Sequence, residues 1–210
     1  MIYEPMTFIT DIVLSGLAIY FGTQMIGLYW QKFQLVHIHF GWSFYILAIG
    51  AFLGGISHGF GPYFSPFWKD LIWKLTMWSI GVSTLFMLLA TFDVIMPFRT
   101  YEILRWIPIA LLVIYIIVTW RHSEFINVIR FYVPSMVFVF VVMSYLFFSN
   151  MFVSAGFISL GILISFLGAA VQVSGFSLHT HFNQNDLYHV IQMGGLWLMY
   201  WGVKGLSDFT

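Results

Sequence analysis

Long runs of apolar residues alternate with short polar connections along the whole chain. Each run has about the 20 residues that a helix needs to cross the ~30 Å hydrocarbon core of a bilayer. None shows the alternation with a period of two that is typical of barrel strands. The runs are Phe8–Tyr29, Val36–Ile56, Leu71–Phe92, Ile103–Trp120, Phe131–Phe148, Met151–Val173 and Leu187–Val203. This pattern predicts an all-α, polytopic membrane protein, a seven-transmembrane helix bundle.

The composition agrees with lipid as the main solvent of the surface. Hydrophobic residues fill 60% of the 210 positions and charged residues 8%, whereas a soluble domain carries roughly 25% charged residues. At this length we expect a single domain over residues 1–210. No Lys or Arg precedes the first run and no small-residue cleavage site follows it. We therefore expect that run to be a retained span and not a signal peptide.

The charged residues exclude one class of partner and leave the orientation open. The formal net charge is +0 and no basic or acidic tract is present, which argues against nucleic acid as a partner. Cysteine is absent, so a site must use His, Asp, Glu, Asn or Ser. Seven spans put the termini on opposite sides, and side A denotes the side on which the first span begins. Side B is the other side; the Lys and Arg of the connections divide almost evenly between the two, so the positive-inside rule gives no orientation.

Polar residues from distant parts of the sequence converge on side A. The second span ends there at His58, and the seventh begins there and contains His189. Ionisable groups at membrane depth are costly and usually line a bundle interior or a site. Asp11, about one turn into the first span, is placed to pair with a histidine on this side. The other polar residues predicted on side A include Ser57, Asp70, His181, Asn185 and Asp186.

The polar residues of the seventh span have a spacing suited to metal binding. Asn185, His189 and Gln192 share one helix face at positions i, i+4 and i+7, and Asp186 precedes His189 by three residues. Imidazole nitrogens and carboxylates are zinc ligands, and a neighbouring carboxylate can orient a ligand or act as a base. The spacing makes this helix face a candidate metal site.

These features resemble the CREST superfamily of seven-transmembrane hydrolases, which includes the alkaline ceramidases and the progestin and adipoQ receptors. The resemblance covers the topology of the whole chain, and in detail only the stretches Gly54–Asp70 and Asn183–Gly195. The segment Phe182–His189 is also similar to the hallmark of an uncharacterised bacterial branch. The resemblance implies an integral protein of the bacterial inner membrane.

The resemblance also implies roles for single residues. His58 matches the zinc ligand of the second helix, Asp70 the acid at the start of the third, and His189 the second His of an H-x-x-x-H motif. Asn185 stands where that motif has its first His, and Gly54 stands where a Ser is expected four residues before His58.

The serine nearest to that expected position is Ser57, which lies about 100° around the helix from His58. We retain it beside Asp70 as a catalytic candidate. A zinc ion would take Asp186 or His181 as its third ligand; the alternative is a site without metal.

Three functions follow as hypotheses. The first, implied by the resemblance, is a zinc-dependent hydrolase of a lipid amide or ester such as a ceramide, with Asp70 as general base. The second is a non-enzymatic receptor or partner-binding protein with a degenerate metal site, motivated by Asn185. The third is a proton or small-solute carrier that uses Asp11, Asp70 and the histidines as a relay; it is the weakest, because side B lacks a matching chain of ionisable groups within the spans. His37 and His39, at the side B end of the second span, are interpreted as interfacial. Membrane lipids are the expected partners.

Overall fold

The computed structural model describes residues 2–209, which form α-helices joined by short connections. A 3₁₀ turn, Gly61–Tyr63, follows the second helix, and the isolated bridge between His179 and Phe182 is the one β-type pairing in the described part of the chain. The eight helices of residues 2–209 are α1 (Pro5–Lys32), α2 (Leu35–Phe60), α3 (Pro66–Ile95), α4 (Phe98–Leu104), α5 (Trp106–Arg121), α6 (Ile126–Phe148), α7 (Ala155–Ser174) and α8 (Gln184–Lys204). The all-α prediction is confirmed.

Local sequence explains where several helices begin and end. Proline occupies the first helical position of α1 and of α3, where its fixed φ is favourable and its missing N–H costs nothing. Phe33 adopts a left-handed conformation (φ 54°) and ends α1 two residues before α2 begins. At the start of α8, Asn183 and Asp186 form a reciprocal capping box, which satisfies backbone N–H groups that the first turn leaves without partners.

Each predicted apolar run corresponds to helix in the structure. The largest difference lies in the fourth run, which is divided between α4 and α5 at Arg105. Pro108 follows three residues later, near the start of α5, where its lack of an N–H is tolerated. The sixth run begins as a helix only at Ala155, because the chain first turns through Asn150 at positive φ (58°).

The helices have the length and composition of an integral membrane protein. Within residues 2–209, six helical segments are long and apolar enough to cross a bilayer, with α4 and α5 together counting as one. The remaining helix, α8, has 21 residues, enough for about 31 Å at 1.5 Å per residue. Its buried polar residues, among them Asp186, His189 and Gln192, make it less apolar than the other six.

The order of packing places α1, α2 and α8 around one interior. α1 contacts both α2 and α8, α2 packs on α3, and α7 packs on α6 and α8. α7 and α8 come closest at Gly161 and Gly195: a Cβ atom added to Gly195 would lie 2.8 Å from the carbonyl oxygen of Gly161. Small residues are what allow two helix backbones to approach this closely.

The chain termini are tied to the two ends of the bundle. On side A, the N–H of Tyr3 donates to the carbonyl of Gly59 at the end of α2 (2.9 Å). On side B, the Asp208 carboxylate accepts from the backbone N–H groups of Leu35 (2.6 Å) and Val36 (2.8 Å). The N–H of Asp208 in turn donates to the side chain of Gln34 (2.6 Å). The segment after α8 therefore caps the first turn of α2.

Candidate functional site

His189 lies at the centre of a largely buried group of polar residues on side A, here called the side A cluster. Its other members are Glu4, Thr7, Thr10, Asp11, His58 and Asp186. His189 projects from the second turn of α8 towards α1, and only 8% of its side chain is exposed. Its Nδ1 lies 3.0 Å from the hydroxyl of Thr10, which donates its own proton to the carbonyl of Thr7. With the Thr10 proton on the Thr7 carbonyl, Nδ1 of His189 donates to Thr10 and the neutral ring carries its lone pair on Nε2; with the Thr10 proton on Nδ1, Nε2 carries the ring hydrogen instead. The cluster is described below for the first of these two tautomers.

The lone pair of His189 faces a carboxylate. Nε2 lies 3.3 Å from Oδ1 of Asp11, whose side chain is 5% exposed. This separation exceeds the 2.7–2.9 Å of a charge-assisted hydrogen bond. Two electron-pair donors that face each other in a buried site need a proton or a cation between them. The expectation that Asp11 pairs with a side A histidine agrees with this contact.

A second carboxylate, that of Asp186, belongs to the same cluster. Its Oδ2 accepts from the N–H of Asn183 (2.8 Å), and the charges of Asp11 and Asp186 are close enough to interact. Oδ2 of Asp11 and Oδ1 of Asp186 are buried and have no hydrogen-bond partner among residues 2–209. Buried carboxylate oxygens are normally paired or coordinated to metal, because burying an unpaired charge is costly.

His58 occupies the side A end of α2 at the edge of this cluster. Its Nδ1 lies 2.8 Å from Oε2 of Glu4, and the two side chains are 29% and 35% exposed. The ring is close enough to His189 for the two to interact electrostatically. His58 thus stands between the buried Asp11–His189 pair and the surface.

Because Gly54 has no side chain, α2 leaves space beside the Asp11 carboxylate. A Cβ atom at position 54 would lie 3.7 Å from both carboxylate oxygens of Asp11. The position at which the superfamily resemblance expects a serine therefore faces the Asp11–His189 pair. In this chain the glycine leaves that space free.

The other predicted catalytic residues lie in a separate groove. Ser57 and Asp70 line an open groove of about 410 Å³ between the end of α2 and the start of α3, together with Lys69 and Trp73. The Asp70 carboxylate is 50% exposed and pairs with Nζ of Lys74, one turn on, at 2.7 Å. The groove lining includes neither His58 nor His189. The structure thus groups Ser57 with Asp70, apart from the two histidines.

His181 and Asn185 point to other partners. His181 is exposed in the connection between α7 and α8, where its N–H donates to Nδ1 of His179 (3.1 Å). The Asn185 side chain accepts from Nε2 of Gln172 on α7 (3.2 Å). Of the predicted metal ligands, the structure brings Asp186 and His189 together with His58 nearby, and it places His181 outside.

The nitrogen and oxygen atoms of the cluster are of the types that bind zinc, and their arrangement fits part of a zinc site. Two ligands of a tetrahedral zinc ion, each bound at ~2.0 Å, lie about 3.3 Å apart, the distance between Nε2 of His189 and Oδ1 of Asp11. Thr10 holds Nδ1 as a second-shell partner does in zinc proteins. Among residues 2–209, however, no group of three or more His, Asp and Glu side chains is already arranged to hold a metal ion. Asp186 would have to turn its free oxygen inwards to complete the set.

Side B has a buried acid–histidine pair of its own. Nδ1 of His39 lies 2.6 Å from Oδ2 of Asp93, whose side chain is 2% exposed. His37 is fully buried. His37 and His39, interpreted above as interfacial, thus lie near the start of α2 with their rings packed mostly among the helices.

Sequence reasoning did not find Glu4, Thr7 and Thr10 as members of the side A cluster. A signal for Thr7 exists: Thr7, Asp11 and Ser15 recur every four residues along α1 and form a polar stripe on an apolar helix. All three are buried. Glu4 precedes the helix, and no pattern points to it.

The comparisons with known proteins give a family and no activity. No curated protein and no solved structure matches the chain. A family model matches residues 6–208, from the first turn of α1 to beyond the end of α8. It includes every member of the side A cluster except Glu4. The chain therefore belongs to DUF6962, a family of unknown function.

Proposed function

We propose that the side A cluster is the zinc site of a membrane hydrolase that cleaves a lipid amide or ester, as in the ceramidase-like members of the CREST superfamily. The observation that carries the proposal is the position of Nε2 of His189, 3.3 Å from Oδ1 of the buried Asp11. The unpartnered oxygens of Asp11 and Asp186 beside it are further support. A divalent cation would bind between Nε2 of His189 and Asp11, and Asp186 would join them by turning its free oxygen inwards.

Asp11, His189 and Asp186 are the proposed ligands, with Thr10 and Asn183 holding His189 and Asp186 in place. A bound zinc ion would polarise the substrate carbonyl and lower the pKa of a water molecule. The bundle supplies the dry surroundings in which such effects are strongest. Asp11 takes the place of His58 in the ligand set. Asp186 is the third ligand rather than His181, because His181 is exposed on the surface.

His58 is the proposed general base, in place of Asp70. With Glu4 on its Nδ1, the ring can accept the proton of the attacking water on Nε2 and pass it to the leaving group. Water adds across the scissile C–N or C–O bond, so the products are a carboxylic acid and an amine or an alcohol. The partial exposure of His58 and Glu4 gives this dyad access to water.

The open groove beside the cluster fits a lipid headgroup. Lys69 and Asp70 supply charged groups at its rim and Trp73 an aromatic wall. Aromatic and charged side chains of this kind are typical of the membrane interface. We propose that α8 is a seventh crossing, that the groove opens at one face of the bacterial inner membrane, and that its lipids supply the substrate.

Metal binding tests the proposal first. Protein purified in detergent, stripped with EDTA and titrated with Zn²⁺ by calorimetry is expected to bind one ion per chain. His189→Ala and Asp11→Asn should abolish that binding. His122→Gln and Glu124→Gln alter exposed residues of the connection between α5 and α6 and should bind zinc as the unaltered protein does. Absence of stoichiometric binding would overturn the zinc site and favour the non-enzymatic alternative.

Turnover tests the chemistry. Zinc-loaded protein in mixed micelles with N-acyl sphingosine or a fatty acyl ester is expected to release fatty acid. His58→Gln should slow that release about 10²–10⁴-fold, the usual contribution of a general base, while zinc binding persists. If His58→Gln keeps full activity and Asp70→Asn loses it, His58 is not the base.

A further inference from the structure

The ends of α1 and α8 meet on side B, and each helix ends in a lysine. Lys32 is the last residue of α1, and Lys204 is the last residue of α8. Nζ of Lys32 donates to the carbonyl oxygen of Lys204 at 3.1 Å, although the two residues are 172 positions apart in the sequence. An ammonium group has three N–H donors, so Lys32 has two donors left after this contact.

The charges of these two lysines are not paired with acids. Within residues 2–209, neither ammonium group forms a salt bridge to an Asp or Glu side chain. The Asp208 carboxylate, at the same end of the bundle, accepts from two backbone N–H groups of α2 instead. The end of each helix contributes about half a negative charge, which is less than the full positive charge of one lysine. The ends of α1 and α8 therefore form a positively charged patch on side B.

A stripe of exposed tryptophans leads along α8 to this patch. Trp197, Trp201 and Lys204 are spaced at i, i+4 and i+7 and share one helix face. The two tryptophans are 48% and 47% exposed, and Nζ of Lys204 lies 4.3 Å from the ring centroid of Trp201. Trp30, in the last turn of α1, is exposed as well. Exposed tryptophans beside lysines are typical of the level of the lipid headgroups.

We propose that the ends of α1 and α8 bind an anionic phospholipid on side B. The phosphate oxygens accept from the ammonium groups of Lys32 and Lys204, and the acyl chains lie against the rings of Trp197 and Trp201. Basic pockets between membrane helices are typical binding places for anionic headgroups. Phosphatidylglycerol brings one negative charge to the patch. Phosphatidylcholine brings in addition a quaternary ammonium group, which the lysines repel.

The surroundings of the two lysines favour a lipid over a free anion. Exposed ammonium groups alone hold a small anion weakly in water, because exposed ion pairs contribute little free energy and salt screens them. The exposed rings of Trp197 and Trp201 add apolar surface that acyl chains cover and a free phosphate ion does not. α1 is also long and apolar enough to cross a bilayer, so its last turn lies where phospholipid headgroups are abundant.

This lipid site is separate from the proposed zinc site. It lies on side B, and none of its residues belongs to the side A cluster. The lipid is bound whole, with no bond made or broken. Lipid binding is therefore measured in the presence of EDTA, so that a failure of the zinc proposal does not affect the result.

Native mass spectrometry of the full chain in detergent tests the inference. The protein is titrated with phosphatidylglycerol and, separately, with phosphatidylcholine of the same acyl chains. We expect one phosphatidylglycerol to bind at concentrations at which phosphatidylcholine does not, and an excess of inorganic phosphate to leave it bound. Lys32→Gln and Lys204→Gln should each weaken the binding about fivefold, the usual contribution of one lysine near anionic lipid. Lys204→Arg keeps the charge and should retain the binding.

Arg99→Gln is the matched control for the lysine variants. It removes an exposed cation of α4 on side B and should bind phosphatidylglycerol like the unaltered protein. Equal affinity for the two lipids, or displacement of phosphatidylglycerol by inorganic phosphate, overturns the inference. It is also overturned if the double variant Lys32→Gln/Lys204→Gln binds as tightly as Arg99→Gln. If a lysine variant does not fold, as judged by gel filtration, the two lipid titrations and the phosphate competition on the unaltered protein still decide the question.

Discussion

At the scale of single residues, two small residues, Thr10 and Gly54, determine the surroundings of the buried His189 and Asp11. The hydroxyl of Thr10 contacts both Nδ1 of His189 and the carbonyl of Thr7, so the direction of its hydrogen bond decides which nitrogen of the ring carries the proton. Gly54 leaves space beside Asp11 that any larger side chain would fill. The chemistry of the side A cluster thus depends on a threonine and a glycine as much as on its acids and rings.

Thr10→Val tests the orienting role of that hydroxyl. The valine keeps the shape of the side chain and removes the partner that Nδ1 of His189 has among residues 2–209, so the ring loses the contact that orients it. We expect zinc affinity to fall about 10–100-fold, the usual effect of losing a second-shell partner. Calorimetric titration measures the affinity. Thr100→Val, at an exposed position of α4, should leave it unchanged.

Gly195→Ala tests the close approach of α7 and α8. The new methyl group would lie 2.6 Å from Oγ of Ser165 and 2.8 Å from the carbonyl oxygen of Gly161, so the two helices must separate. Overpacking of this kind costs about 1–3 kcal/mol, and the thermal unfolding midpoint in detergent should fall. Gly194→Ala is the matched control: no atom lies within 4 Å of its added Cβ. An equal midpoint for both variants would contradict the close packing.

At the scale of elements, α2 depends on a segment far away in sequence. Its first turn has no side-chain cap from Gln34, and the Asp208 carboxylate accepts from the first two backbone N–H groups instead. A negative charge at this end of a helix is also favoured by the helix dipole. The beginning of α2 and the end of α8 are therefore held together.

Asp208→Ala should free that first turn. Losing a cap of this kind costs about 0.5–2 kcal/mol, and the amides of Leu35 and Val36 should exchange hydrogen faster than in the unaltered protein. Hydrogen exchange followed by mass spectrometry measures this directly. Ser207→Ala, at the neighbouring position, should exchange like the unaltered protein. Unchanged exchange in Asp208→Ala would show that the carboxylate is not the cap.

The sequence predicts the helices far better than it predicts which residues meet in the site. Apolar length alone locates the helices, since a run of about 20 apolar residues has few other structures available. Which groups meet depends instead on helix rotation, and hydropathy does not record it. His58 and Asp70 lie on the same side of the bundle, yet one contacts Glu4 and the other Lys74. Asp93, at the end of an apolar run, gave no sign that it pairs with His39.

At the scale of the whole molecule, the six segments long and apolar enough to cross a bilayer predict that the connection between α7 and α8 lies on side A and that between α6 and α7 on side B. The chain contains no cysteine, so a single introduced cysteine reports its own side. Thr180→Cys and Ser149→Cys should react with a membrane-impermeant maleimide from opposite faces of sealed vesicles. Ser123→Cys, between α5 and α6, should react from the same face as Thr180→Cys. Labelling of Thr180→Cys and Ser149→Cys from one face would exclude an odd number of crossings between them.

The cap that Asp208 places on α2 has a consequence for the order of events during synthesis. Val36 and Asp208 are 172 residues apart, and at ~5–20 residues per second the ribosome needs roughly ten to thirty seconds to make the chain between them. Throughout that interval α2 is present in the nascent chain with its first turn open. The segment after α8 then closes it, so the first turn of α2 is completed only when the other helices have been made.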